Sequence, residues 1–416
     1  MRHFTRAGPR RCPVLPLPRP LARPRSPSLL PTMALRVVCN ATPLLSPLTG
    51  IGNYIVELGA ALAATGEVDA YSFYGFRWRH ESPQPPPRGA RGPVQQSLRD
   101  AVKPFVPFKR QLRAAQQQWM FARGLSRNGI ALYHEPNYIP LSYDVPVVTT
   151  IHDLSALRYP ETHPADRVRW LERGLPRALS HSAQILVDSD FVRDEVIAMF
   201  GVAPDRVHTT HLGVSPIFRP RTASETAPTL HEFDLVHGQY LLTVGTIEPR
   251  KNVAHVLVAY ARLPGAVRDR MPLVVAGAKG WRAVDLEREL RELADRGGIR
   301  FLGFVPGDAL PDLYAGAAAF VFPSLYEGFG LPPLEAMASG VPVVTSGRSS
   351  LAEVVGDAGL LLDPDQPEST ARILTDLLGN GAERARLSRA GIARATRFTW
   401  AACASATLAA YRRALA

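Results

Sequence analysis

The sequence predicts an α/β fold of two Rossmann-like, doubly wound domains facing each other across a cleft. Three observations carry this. Short apolar strands alternate with amphipathic helical stretches along the whole chain, the pattern of parallel sheets covered by helices on both faces. The strands fall into two series of six, separated by a stretch from 216 to 239 rich in Pro, Thr and Glu. The chain has 416 residues, enough for two domains of ordinary size.

Taken in order, residues 1–32 hold seven arginines, eight prolines and no acid. They account for seven of the +11 net charges and leave +4 for the rest. Such a stretch buries too little apolar surface to pack, and reads as a disordered basic extension. Met33 directly precedes the first strand and reads as the natural start. The N-terminal domain is expected over 33–215, with strands Leu35–Asn40, Ala70–Tyr74, Leu132–His134, Val147–Ile151, Gln184–Val187 and Val207–His211. Residues 216–239 read as a linker. The C-terminal domain, 240–395, repeats the alternation with Tyr240–Val244, Leu273–Ala276, Ile299–Phe301, Ala319–Phe322, Val341–Thr345 and Gly359–Leu362. A last helix closes the chain over 396–416. Two such domains place ligands in the crevice beyond the carboxyl ends of their strands.

Composition excludes several classes. No run approaches the ~20 apolar residues of a membrane span. Three scattered cysteines, Cys12, Cys39 and Cys403, lack metal spacing and fit a reducing cytosol. Neither a P-loop nor a complete G-x-G-x-x-G is present, since Ile55 stands where the third glycine belongs, which argues against a P-loop ATPase and a dinucleotide dehydrogenase. Nucleic-acid and zinc motifs are absent, and no cofactor is expected.

The most informative segment is PSLYEGFGLPPLEAMASGVPVVTS, from Pro323 to Ser346. It reads as a loop, Glu327-Gly328-Phe329-Gly330, running into a helix opened at Leu331 by Pro332-Pro333. Proline costs nothing in a first helical turn. The loop therefore offers backbone N–H groups at a helix N-terminus, an anion site. Glu327 and Glu335 flank it. Carboxylates repel phosphate and accept hydrogen bonds from hydroxyls, so an anion cradle beside them suits a nucleotide sugar. The competing reading is an acidic first turn that only complements the helix dipole.

Four further features face the same cleft. Arg250 and Lys251, in V-G-T-I-E-P-R-K-N after the first strand of the second domain, can neutralise a diphosphate as it leaves; otherwise they form a solvated basic loop. His152 ends the strand Val147–Ile151, either beside a ligand or as a structural histidine, and Asp153 supports its loop. Gly50 and Gly52, in T-G-I-G-N-Y, permit close backbone approach to an oxygen-rich ligand or simply make a tight turn. Gly277 and Val305 sit in the turns after later strands of the second domain.

Taken together, these motifs resemble the GT4 family of retaining, GT-B fold glycosyltransferases over residues ~34–415. The pair Glu327 and Glu335 matches its E-x7-E signature, Lys251-Asn252 its phosphate segment, and His152-Asp153 its His-Asp. Thr246 departs from the arginine that many relatives carry after the glycine. The closest flavour, with T-I-E-P-R-K-N and Y-E-G-F-G-L-P-P-L-E together, is similar to bacterial mannosyltransferases of O-antigen and surface polysaccharide assembly. The resemblance implies catalytic roles for Glu327, His152, Arg250 and Lys251. It implies donor binding by Gly50, Gly52, Gly277, Val305, Gly328, Phe329, Gly330, Leu331 and Glu335, mostly through backbone atoms. It also implies metal-free same-face transfer from a nucleotide-sugar donor, GDP-mannose foremost, to a glycan or lipid-linked acceptor. UDP- or dTDP-sugars and a GT-B-fold sugar-nucleotide epimerase are the alternatives. In relatives the last helix packs back towards the N-terminal domain.

Between Arg88 and Arg127 nine basic residues face one acid, Asp100, with Phe105, Phe108, Trp119 and Phe121 interleaved. This suits an anionic membrane surface at the cytoplasmic face, or a solvated, arginine-rich helix pair.

Overall fold

The computed structural model describes residues 34–46, 50–85, 107–141, 143–278 and 298–416, with side chains of the helix starting at Pro107 described from 112 onward. The expectations for 1–32, and for the basic stretch up to 106, lie outside these residues.

The first half builds β1 (Leu35–Asn40), α1 (Gly50–Ala64), β2 (Val68–Phe73), β3 (Trp78–Arg79), α2 (Pro107–Asn128), β4 (Leu132–Glu135) and β5 (Val147–Ile151). It continues with α3 (Ala165–His181), β6 (Gln184–Val187), α4 (Asp190–Phe200) and β7 (Val207–Thr209). The sheet order is β3-β2-β1-β4-β5-β6-β7, parallel except for β3. The two-residue β3 is too short to read from pattern. Its Trp78 stacks on Phe121 of α2 at 5.5 Å and anchors that helix.

The second half builds β8 (Leu241–Val244), α6 (Val253–Ala261), β9 (Leu273–Ala276), β10 (Ile299–Gly303), α7 (Leu310–Ala315), β11 (Ala319–Phe322) and α8 (Leu331–Ala338), after α5 (Ala223–Glu232). Then come β12 (Val343–Ser346), α9 (Ser350–Val355), β13 (Leu360–Leu362), α10 (Pro367–Gly379), α11 (Gly381–Ala395) and α12 (Trp400–Leu415). The order β10-β9-β8-β11-β12-β13 is the doubly wound arrangement, with its reversal between β8 and β11. Strands covered on both faces read as continuous apolar runs, and β5, β9, β11 and β12 are buried throughout.

The linker reading of 216–239 needs correction in one respect. Within it, α5 begins at a capping box, Thr222 with Glu225, a signal that the Pro and Thr content obscured. Its Thr229 donates to Asp312 at 2.5 Å and Arg221 pairs with the same carboxylate at 2.6 Å. Leu230 is buried. The connection is thus fastened to the second domain.

The last helix, α12, lies across the first domain. Tyr411 is fully buried and its hydroxyl meets His134 Nδ1 at 2.8 Å. His134 Nε2 continues to Thr150, whose hydroxyl meets that of Tyr54 at 3.0 Å. Burial drives His134 down to about 3, so the ring is neutral and passes hydrogen bonds without a charge. Removing Tyr411 opens a cavity and orphans His134 Nδ1. Tyr411→Ala is expected to destabilise by about 3–5 kcal/mol, read as a lower urea midpoint. Arg412→Ala, on the exposed face, should stay within about 0.5 kcal/mol. Equal effects would mean that the buried face of α12 does not anchor it.

Candidate active site

The switch point of the second sheet places its chemistry. Arg250 and Lys251 stand on the single turn Pro249–Lys251 after β8, and Glu327 lies in the loop between β11 and α8. Lys251 Nζ donates to Glu327 Oε1 at 2.6 Å, and Arg250 reaches Glu327 Oε2 at 3.1 Å. Arg250 also donates to the Tyr326 carbonyl at 2.6 Å and pairs with Glu248 at 2.7 Å. The three clustered side chains are 14% exposed or less.

Burial by itself would raise the Glu327 carboxyl, but Lys251 and Arg250 outweigh it and hold it below the ordinary carboxylate range. Glu327 is therefore ionised at neutral pH. Its stabilising contribution is complete above the unfolded value and is lost as pH falls through the lower folded one. The Arg250 guanidinium is held well above its ordinary value by Glu327, Asp153 and Glu248 against its burial. Its Nε is buried with no hydrogen-bond partner among the described residues, a donor left for a ligand oxygen.

Three serines pin the loop, and the sequence reading missed them. Ser324 donates to Glu327 Oε1 at 2.5 Å, and Ser349 accepts from the Glu327 N–H at 2.9 Å. Ser350 donates to the carbonyls of Glu327 at 2.8 Å and Phe329 at 2.7 Å. Ser324 three residues before Glu327 was the available signal. Ser349 and Ser350 come from beyond β12, and only the sheet order brings them close. Phe329 packs into the core against Phe398 at 5.7 Å, so its backbone alone is open to a ligand.

Leu331 begins α8, whose N-terminus has no side-chain cap, with Pro in its first turn. That end is electropositive and unblocked. Glu335, one turn on, is half-buried. Burial pushes it up to about 7, opposed by Tyr314. Gly277 follows β9 and leaves no room for a side chain, since the Gly245 carbonyl oxygen would lie 1.9 Å from an added Cβ. Val305, half-buried, follows β10. Gly50 and Gly52 form the first turn of α1 beyond the end of β1.

His152 is buried at the end of β5. Its Nδ1 meets Asp188 Oδ2 at 2.8 Å and its Nε2 meets the Pro136 carbonyl at 2.8 Å. Asp153 accepts from the Ser155 N–H and hydroxyl, at 2.9 and 2.7 Å. His152 thus reaches the loop of Glu327 through its backbone, whose carbonyl oxygen abuts Gly328.

Other contacts draw the two domains together here. Ser189 donates to the Gly328 carbonyl at 2.7 Å. The Tyr326 hydroxyl accepts from the Leu154 N–H at 3.1 Å and donates to Glu195. Glu353 accepts from the N–H groups of Asp190 and Phe191, each at 3.0 Å, and meets His211 at 2.6 Å. Asp190, His211 and Glu353 are the one group of three potential metal ligands among the described residues; Glu353 and His211 already bond each other, and the Asp190 carboxylate accepts from the Thr209 hydroxyl at 2.6 Å.

Residues 236–394 match the family described as glycosyl transferases group 1, and residues 48–218 match glycosyltransferase family 4. The chain is 39% identical over 385 residues to the O-antigen chain mannosyltransferase B of Escherichia coli, covering 91% of this chain and all of that one. Among solved structures, sucrose-phosphate synthase from Thermosynechococcus elongatus superposes with a TM-score of 0.70 at 20% identity, covering 92% of this chain and 99% of that one. WaaG, a glycosyltransferase involved in lipopolysaccharide biosynthesis, gives 0.66 at 18%, covering 90% and 99%.

An added Cβ at Gly328 would lie 1.8 Å from the His152 carbonyl oxygen. Both partners are main chain, so neither yields as a side chain would. Gly328→Ala is expected to hold the domains apart, raising the radius of gyration in solution scattering. An unchanged profile would show that the loop yields and the domains still meet.

Proposed function

The chain belongs to the GT4 glycosyltransferases, with their GT-B fold, and from that premise we propose that it transfers mannose from GDP-mannose to a glycan or lipid-linked acceptor, with retention and without a metal ion. The observation that carries the chemistry is the convergence of Arg250 and Lys251 on Glu327 beside the uncapped start of α8. Mannose as the sugar rests on the likeness to the O-antigen chain mannosyltransferase over that relative's whole length. UDP- and dTDP-sugars are the competing donors.

In this reading the diphosphate lies against Arg250, Lys251 and the N-terminus of α8. These positive groups take the place a divalent ion holds in other transferases. Glu327 orients the sugar hydroxyls and Glu335 accepts from the ribose. His152 stands against the sugar from the other domain. Backbone at Gly50, Gly52, Gly277, Val305 and the loop Gly328 to Leu331 lines the donor. The acceptor oxygen bonds to the anomeric carbon on the face that the diphosphate leaves. The C–O bond to phosphate breaks, and the departing phosphate oxygen takes the acceptor proton.

The experiment is direct. Glu327→Ala and Lys251→Ala should each lower turnover about 100-fold or more with folding intact, and a chelator should leave the wild-type rate unchanged. GDP-mannose should raise the melting temperature more than UDP-, dTDP- or ADP-sugars do. Near wild-type turnover in either variant would remove the assigned role, and a larger shift with another nucleotide would reassign the donor. Absence of diphosphate release, with or without acceptor, would point to the epimerase.

A second reading places the enzyme at an anionic membrane surface on the cytoplasmic side. Among the described residues no helix is long and apolar enough to cross a membrane. On α2, however, Leu112 and Trp119 are each 60% exposed, Arg113 is exposed, and Arg123 lies over the Trp119 ring at 5.3 Å. Phe121 belongs instead to the core. Co-sedimentation with anionic liposomes at low salt should drop when Arg113 and Arg123 become Glu, and weaken as salt is added. Equal binding to neutral vesicles would exclude this reading.

A further inference from the structure

The buried pair formed by His152 and Asp188 is the feature not absorbed above. Asp188 directly follows β6 and is 3% exposed, while His152 ends the neighbouring β5. Both ring nitrogens are engaged. Nδ1 faces the Asp188 carboxylate and Nε2 faces a backbone carbonyl, which can only accept. Tyr54 of α1 meets the ring edge-on at 4.8 Å and Tyr138 at 6.2 Å, which fixes its plane. A neutral histidine with Nδ1 protonated would set a bare nitrogen against the Pro136 oxygen, two acceptors in contact.

We propose that Asp188 is a positioning residue that holds His152 as a doubly protonated imidazolium through neutral pH, so that His152 serves the reaction as a fixed cation and never as a base. This rests on the placing of His152 at the donor sugar given above. The proton belongs on the ring because a free carboxyl gives it up at a pH about 2.6 units lower than an imidazolium does. Burial raises the Asp188 carboxyl, and His152 and His211 oppose that. Burial alone would lower His152, but Asp188, the Pro136 carbonyl and Asp153 outweigh it and hold the ring above its ordinary value. The other groups facing the pair are the hydroxyls of Tyr54 and Tyr138, the neutral His134, the Cys403 thiol of α12, and His211, which acts on Asp188. An ion pair of this depth persists only while both members are present, since removing one leaves the other buried and unpaired.

Two measurements on the whole chain test this. The first is a long-range proton–nitrogen spectrum of histidine-labelled protein, with His152→Gln assigning the signals. Both ring nitrogens of His152 should be protonated at pH 7.5. A neutral ring, or one titrating near the ordinary ~6.5, overturns the proposal whether or not transfer is detected. That arm is independent of the assigned function. The second is Asp188→Asn, which keeps shape and removes charge. Its turnover at saturating donor should fall about 10- to 100-fold, the size expected when a carboxylate that orients a functional histidine is lost, with the donor Michaelis constant changing less than about 3-fold. That turnover should fall further as pH rises through ~6.5, where the ring loses its proton. The wild-type profile should show no such step. A purely structural role for Asp188 would lower stability and leave the pH profile of the folded fraction unchanged, which also overturns the proposal. Should Asp188→Asn fail to fold, the wild-type spectrum decides alone.

Discussion

Three charges out of water, Arg250 and Lys251 against Glu327, set the terms for the rest of the site. A buried ion is tolerated only with partners, and the desolvation penalty is recovered only in good geometry with the remaining donors and acceptors engaged. That requirement explains the surroundings. Ser324 takes up Glu327 Oε1 beside Lys251, Glu248 holds one side of the guanidinium, and the Tyr326 carbonyl receives another N–H. The cluster is balanced without a ligand and leaves Arg250 Nε unspent. A diphosphate entering there would meet donors already aimed, which is what preorganised charge stabilisation requires.

The same loop is where the two domains touch. Residues flanking Glu327 do double duty. Tyr326 projects its hydroxyl to Leu154 and Glu195 of the first domain, and Gly328 meets both Ser189 and the His152 carbonyl. The carboxylate proposed to orient the sugar is thus carried on the segment where the two domains meet. Glu353 adds a clasp at the N-terminus of α4, where its negative charge suits the helix dipole. His211 and the two N–H groups hold that carboxyl below its ordinary value against its burial. The contacts that join the domains and those that hold Glu327 thus belong to one loop.

Much of this was legible in the chain beforehand. Strand and helix periods differ, 2 against 3.6 residues, so the alternation and the α/β class follow from local pattern. Arg250, Lys251, Glu327 and His152 are recognisable because each sits where an apolar strand ends, and strand ends of parallel sheets face the crevice. The capping box of α5 was equally present in Thr222 and Glu225, yet the surrounding Pro and Thr content hid it.

By itself, then, the sequence determined the two doubly wound sheets, the turns that end their strands and the residue types at those turns, because these depend on spacing over a few residues. What only the tertiary structure decided is pairing. Lys251 and Glu327 are 76 residues apart, Ser189 and Gly328 139, and Glu353 and His211 142. No local period encodes which carboxylate takes which cation, or that Asp188 and a carbonyl would occupy both nitrogens of His152. Those partners follow from strand order and from the close approach of two domains, and burial then forces every polar group to be matched within that geometry.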